Sequence, residues 1–153
     1  MIRRCFTNLT ANKVKTLYVT MVRSVLEYGT PTWSPYYTKD IELLEKVQNR
    51  CLRLSNEEIE LPSLQTRRLI CDLCEVYKYL HDMIKTGREE LFTMAERQLG
   101  GHSLKLHRPF ARSVTRSNFF SVRVVEAWNS LPEEIVQAPT LARFREDVEI
   151  LLS

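Results

Sequence analysis

Cys71 and Cys74, with His81 further along, are the side chains in this chain best suited by type and spacing to hold a metal. A closed structural zinc needs four ligands, and a Cys-x-x-Cys pair supplies half of them. His102 and His107 are the remaining histidines, at a spacing that matches no zinc knuckle. Both cysteines also fall inside a helical apolar pattern beside Leu73 and Val76, so the alternative is a pair of packed helical thiols. Nucleophilic catalysis has residue types but no arrangement: there is no G-x-S-x-G elbow, no P-loop and no H-E-x-x-H. The aspartates, Asp40, Asp72, Asp82 and Asp147, are scattered over helical positions and read as solvated or capping carboxylates. We assign no catalytic residue and no metal ligand.

Charge is the stronger signal. The net charge is only +3, but its placement is uneven. Met1–Val25 holds five Lys/Arg and no acid, and Arg97–Val125 holds six with two histidines and again no acid. Residues 26–96 carry thirteen acids against nine bases, and the tail from Glu126 carries six acids against Arg143 and Arg145. Acid-free basic stretches make local fields that favour phosphate. Candidate nucleic-acid contacts are therefore Arg3, Arg4, Lys13 and Lys15 in the first stretch, and Lys105, Arg108, Arg112 and Arg116 in the second. The competing reading of the second stretch is a solvated face paired with Glu146, Asp147 and Glu149. Phe110, Phe119 and Phe120 are expected to serve packing rather than to stack on bases.

These residues must be positioned by helices. The chain has 153 residues, 44% apolar, with only 4 glycines, which suits one helical domain or two small subdomains. Thr10 caps a helix over about Ala11–Tyr28, whose stripe is Val14, Leu17, Tyr18, Met21, Val22, Val25 and Leu26. Gly29, Pro31 and Pro35 close it, leaving Tyr28 and Trp33 as anchors that need burial. Thr38 caps a second helix, about Lys39–Leu54, with Ile41, Leu44, Val47, Cys51 and Leu54 inward. Pro62 and Ser63 open a third, about Leu64–Lys85, ended by Gly87, with Leu69, Leu73, Val76, Tyr77, Leu80 and Ile84 as its core stripe. Arg67 and Arg68 in its first turn oppose the helix dipole and call for a partner, either the Glu57–Glu60 run or an external phosphate.

A short helix over Glu89–Met94 follows. Period-two patterns at Ser103–His107 and Phe110–Val114, split by Arg108-Pro109, predict a β hairpin near residues 103–114 with the leucines inward and Lys105 and His107 outward. Asn118 caps a helix over about Phe119–Ser130, Pro132–Val136 makes one turn, and Thr140 caps a last helix over about Leu141–Leu152. The predicted fold is mainly α, about five helices with one small hairpin. No apolar run approaches the roughly 20 residues of a bilayer span, and no apolar region follows Ile2–Cys5 to make a signal peptide. A nuclear or cytoplasmic chain without a disulfide framework is expected.

Particular runs of residues carry more than this. LYVTMVRSVLEYGTPTWSPYYTKDIELLEKVQNR, LPSLQTRRL, EVYKYLHDM, GHSLKL and NFFSVRVVEAWNSLPEEIVQAPTLARF follow one another along nearly the whole chain. In content and order they resemble the C-terminal part of non-LTR retrotransposon reverse transcriptases of the jockey and chicken-repeat kind. The resemblance implies a thumb-like helical pair over residues 1–54 and a downstream helical segment over 55–153. It departs from the family at Ser55–Leu61, where relatives carry a further turn and short helix.

A thumb grips the primer–template duplex through its backbone, without reading sequence. The implied partner is thus RNA or an RNA–DNA hybrid, together with the polymerase palm of a longer chain. A palm holds two divalent metals on aspartates that include an adjacent pair. No Asp-Asp pair occurs here, so magnesium would belong to the absent palm, and a non-catalytic fragment of an RNA-directed DNA polymerase is expected. The alternatives are a helical protein-interaction module and a nonfunctional remnant of a mobile element.

Overall fold

The computed structural model describes residues 9–55, 57–84, 88–95 and 100–152. Helices dominate, and no strand forms among these residues. Arg3, Arg4, Cys5, Gly87 and Arg97 lie outside the described residues. The chain divides into two compact units: residues up to Gly29 with Pro35–Arg67, and Thr30–Ser34 with everything from Arg68.

In the first unit the opening helix runs as Ala11–Leu17, a π-helical stretch Tyr18–Arg23, and Ser24–Leu26. Thr16, Thr20 and Ser24 each donate a side-chain hydroxyl to the carbonyl four residues back, a pattern that loosens and bends helices. Because π turns bond i→i+5, the apolar stripe changes phase across them. Val14 and Tyr18 are buried as expected, but Met21 and Val25 are 61% and 70% exposed. The Tyr18 hydroxyl donates to Gln48 Oε1 at 2.6 Å, and Gln48 Nε2 donates to the Pro62 carbonyl at 3.2 Å. Gln48 is therefore the buried residue of helix Thr38–Leu52, while Val47 of the predicted stripe is exposed. Burial, with Glu27 second, pushes the Tyr18 phenol up to about 12.

One cap and two anchors differ from expectation in this region. Thr38 lies inside its helix, which Tyr37 precedes without a side-chain cap bond. Gly29 does take the positive φ of a helix end (65°), but Tyr28 beside it is 81% exposed and Trp33 is also exposed. The Arg67 guanidinium pairs with the Glu27 carboxylate through two bonds, Nη2 to Oε2 at 3.1 Å and Nε to Oε1. Glu27 is thus a partner of the kind its unfavourable dipole position required, and it lies outside the Glu57–Glu60 run.

In the second unit, helix Leu64–Leu80 from Arg68 onward packs Ile70, Leu73, Val76, Tyr77 and Leu80 against Phe120, Val124, Val125 and Trp128 of helix Phe120–Asn129 and Phe144 and Val148 of helix Leu141–Leu151. The helix ends at Leu80 rather than Lys85. Asp82 takes φ 54°, and the Met83 N–H reaches back to the Lys78 carbonyl at 2.9 Å, a Schellman-type closure built without glycine. Arg68 lies over the Trp33 ring at 4.1 Å and donates to the Trp33 carbonyl. Asp72 meets Arg123 in a bidentate pair, 2.9 Å to Nε and 3.0 Å to Nη2. Arg123 also donates to the carbonyls of Thr30 and Asn118, so this cation of the acid-free span is consumed inside the fold.

Asn118 does not cap helix Phe120–Asn129, which Phe119 precedes; its amide instead donates to the Val114 carbonyl. Thr140 does cap Leu141–Leu151, accepting from the Arg143 N–H. Thr140→Ala is expected to cost about 1 kcal/mol, read as a lower urea midpoint at unchanged m-value. An unmoved midpoint would show that the hydroxyl contributes nothing.

Candidate nucleic-acid interface

The predicted hairpin is replaced by a loop held on a helix end. Leu106 makes one antiparallel bridge, to Met94, with Ala95 N–H donating to the Lys105 carbonyl at 2.9 Å and His107 N–H to the Thr93 carbonyl at 2.7 Å. On its other side Leu106 N–H donates to Asn129 Oδ1 and its carbonyl accepts from Asn129 Nδ2, at 2.9 and 2.8 Å. Both backbone groups that a hairpin partner at Phe110–Val114 would need at Leu106 are thus taken. Pro109 has no N–H to offer, and Ser113 turns the chain into a short helix, Val114–Ser117, by accepting from the Arg116 N–H.

The same helix end fixes the rest of the GHSLKL run. Trp128 is fully buried; its indole N–H donates to the Leu104 carbonyl at 2.8 Å, and its own carbonyl lies 2.9 Å from His102 Nε2. That contact makes Nε2 the protonated nitrogen of this buried histidine, since a carbonyl only accepts. Glu133, at the start of helix Glu133–Val136, accepts from both the Ser103 N–H and hydroxyl, and these bonds hold its carboxyl below the usual range. Asn129 was not singled out from the sequence, and His102 was weighed there only as a metal ligand. The signal for Asn129 was present in AWNSLP, where a polar amide follows the buried Trp128 in the last turn of its helix.

The candidate cations distribute as follows. Lys13 and Lys15 are exposed on helix Ala11–Leu17 of the first unit. In the second unit Lys105 is half-buried, its chain crossing Gly101 so closely that a Cβ there would meet Lys105 Cε and Nζ at 2.7 Å. Arg108, Arg112 and Arg116 are exposed. Arg108 pairs with Glu126 at 3.2 Å, both side chains more than half exposed, and Arg116 lies over the Phe119 ring at 5.2 Å. Among the described residues the acids of the last helix pair within that helix, Glu146 and Asp147 with Arg143 and Glu149 with Arg145, rather than with this stretch as the competing reading required. Of the three phenylalanines expected to pack, Phe120 is buried, but Phe110 is 87% and Phe119 is 52% exposed. What the loop offers chemically is a backbone held by hydrogen bonds that carries exposed guanidinium groups and open aromatic faces.

The cysteine pair is placed differently. Cys74 sits in the core, where burial pushes its thiol up to about 11, and Cys71 is half-buried; neither forms a disulfide. The His81 ring stacks on Tyr77 at 4.0 Å and its Nε2 lies 3.0 Å from the Val136 carbonyl. No cluster of three or more His, Cys, Asp or Glu suited to a metal occurs among the described residues. Nor, among them, is any helix long and apolar enough to cross a membrane. Comparisons of the chain with family models, with curated proteins and with solved structures find no match.

Proposed function

We propose that this chain is the thumb and downstream segment of a non-LTR retrotransposon reverse transcriptase, and that it contacts RNA or an RNA–DNA hybrid through backbone phosphates. The single observation behind the contact is the exposure of Arg108, Arg112 and Arg116 on one loop whose only acidic partner is the solvent-facing Glu126 among the described residues. An exposed pair of that kind is worth about 0–1 kcal/mol, so Arg108 exchanges Glu126 for a phosphate at little cost. The order of the sequence landmarks supports the family. The exposed Met21, Val25 and Tyr28 suit a thumb that covers part of its surface with a palm from a longer chain. An Asp-Asp pair in the reading frame upstream would support that partner; a frame without one would remove it.

Counterion release gives the test. Each phosphate neutralised contributes about −0.9 to the slope of log K against log salt on duplex and about −0.7 on single strands. Replacing Lys105, Arg108 and Arg112 together with alanine is expected to flatten that slope by roughly 2–3 on a hybrid, with thermal unfolding little changed. Undiminished affinity and slope in the triple variant would take the loop out of the interface.

A further inference from the structure

Resting on that phosphate reading, we infer that the Arg108–Phe119 loop is selective for unpaired nucleic acid, with Phe110 as a platform on which one base stacks. An aromatic ring left 87% exposed forgoes the burial that normally places phenylalanine inside. Here the exposure is built in. Pro109 fixes the backbone immediately before Phe110, Asn129 grips Leu106 on one side of it, and the Ser113 cap fixes the other. A ring presented on a backbone held at both ends loses little freedom when a ligand arrives. Arg108 and Arg112, both exposed, lie two residues before and two residues after it in the chain, and the Arg116–Phe119 stack presents a second, partly open aromatic face.

In a duplex the base faces are already stacked on one another, so an exposed ring gains affinity only from bases that are free. Phosphate contact alone makes no such distinction. An anionic membrane also attracts arginine beside aromatics, but that mode uses a long amphipathic helix, and the only helix in this loop is the four-residue Val114–Ser117.

The experiment compares the full chain with Phe110→Ala and Phe110→Trp. The probes are an unstructured oligouridylate, an RNA–DNA hybrid duplex, and phosphatidylserine-containing vesicles. Phe110→Ala is expected to weaken oligouridylate binding roughly 5- to 100-fold at unchanged salt slope, to leave hybrid binding and the melting midpoint where they were, and to be rescued by Phe110→Trp. Equal oligouridylate affinity in wild type and Phe110→Ala, with the steep salt slope retained, would overturn the stacking while the phosphate contact stands. Absence of binding by the wild type to either nucleic acid would bring down both readings. Loss of vesicle binding alone in Phe110→Ala would replace the platform with a membrane contact.

Discussion

Replacing Arg123 with alanine is expected to destabilise the second unit by about 3–5 kcal/mol at neutral pH. The Asp72 side chain is 5% exposed and Arg123 supplies both of its charge-assisted bonds. Without the guanidinium, the buried carboxylate keeps the charge of Arg68 but loses both of its hydrogen bonds, and the Thr30 and Asn118 carbonyls lose a donor. The pair itself contributes far less than this figure, because desolvation already opposes it. Burial raises the Asp72 carboxyl above its ordinary value in spite of Arg123, so burial is the larger influence.

The pH dependence follows from that sign. A carboxyl whose folded pKa is raised contributes stability that is complete below its unfolded pKa and is lost as pH rises through the folded one. The Arg123→Ala deficit is therefore expected to be largest near neutrality and to shrink on acidification as Asp72 takes up a proton. Asp72→Leu combined with Arg123→Met should recover most of the loss. Urea unfolding of the single and double variants at neutral and acid pH measures all of this. A single variant within about 1 kcal/mol of wild type, well under the buried-pair range, would show that water reaches Asp72.

Trp128→Ala carries the other large expected effect, about 3–5 kcal/mol. Trp128 is fully buried, its ring 5.8 Å from those of both Phe144 and His102, so its removal opens a cavity at the centre of the second unit. Trp128→Phe keeps the six-membered ring but loses the pyrrole edge together with its donor to the Leu104 carbonyl, and is expected to cost less, about 1–3 kcal/mol. Equal losses in the two variants would place the whole effect in that edge and its hydrogen bond. Because Leu104 begins the run that leads into the basic loop, both substitutions should also weaken whatever that loop binds.

Periodicity recovered the elements whose neighbours are apolar. The stripe Leu73, Val76, Tyr77 and Leu80, the buried Trp128 and the Thr140 cap were all readable because burial follows spacing and a capping hydroxyl acts locally. Failures came where a distant polar group overrode a local pattern. Leu104–His107 alternates like a strand, but its bonds are satisfied by Thr93, Ala95 and the Asn129 side chain, partners that no local spacing reveals. Met21 and Val25 continue an α stripe that the π turn at Tyr18–Arg23 rotates off its face. At the candidate site the charges of Lys105, Arg108, Arg112 and Arg116 were legible as composition. The Arg108–Glu126 pair and the exposed Phe110 were not, since the first depends on Asn129 holding Leu106 at the helix end and the second on how the chain turns after Pro109.

Asn129 offers Leu106 one donor and one acceptor, as a peptide group on an adjoining strand would. A single side-chain torsion therefore governs an edge that is usually closed by a ladder. The Leu106 amide proton can meet solvent whenever that torsion swings away, without any helix unravelling. Its deuterium uptake then reports a rotamer equilibrium, on a scale well below the free energy that guards the amides of Val124 and Val125. Aspartate at this position would keep the acceptor and lose the donor, opening half of the seam while leaving the outline of the molecule intact.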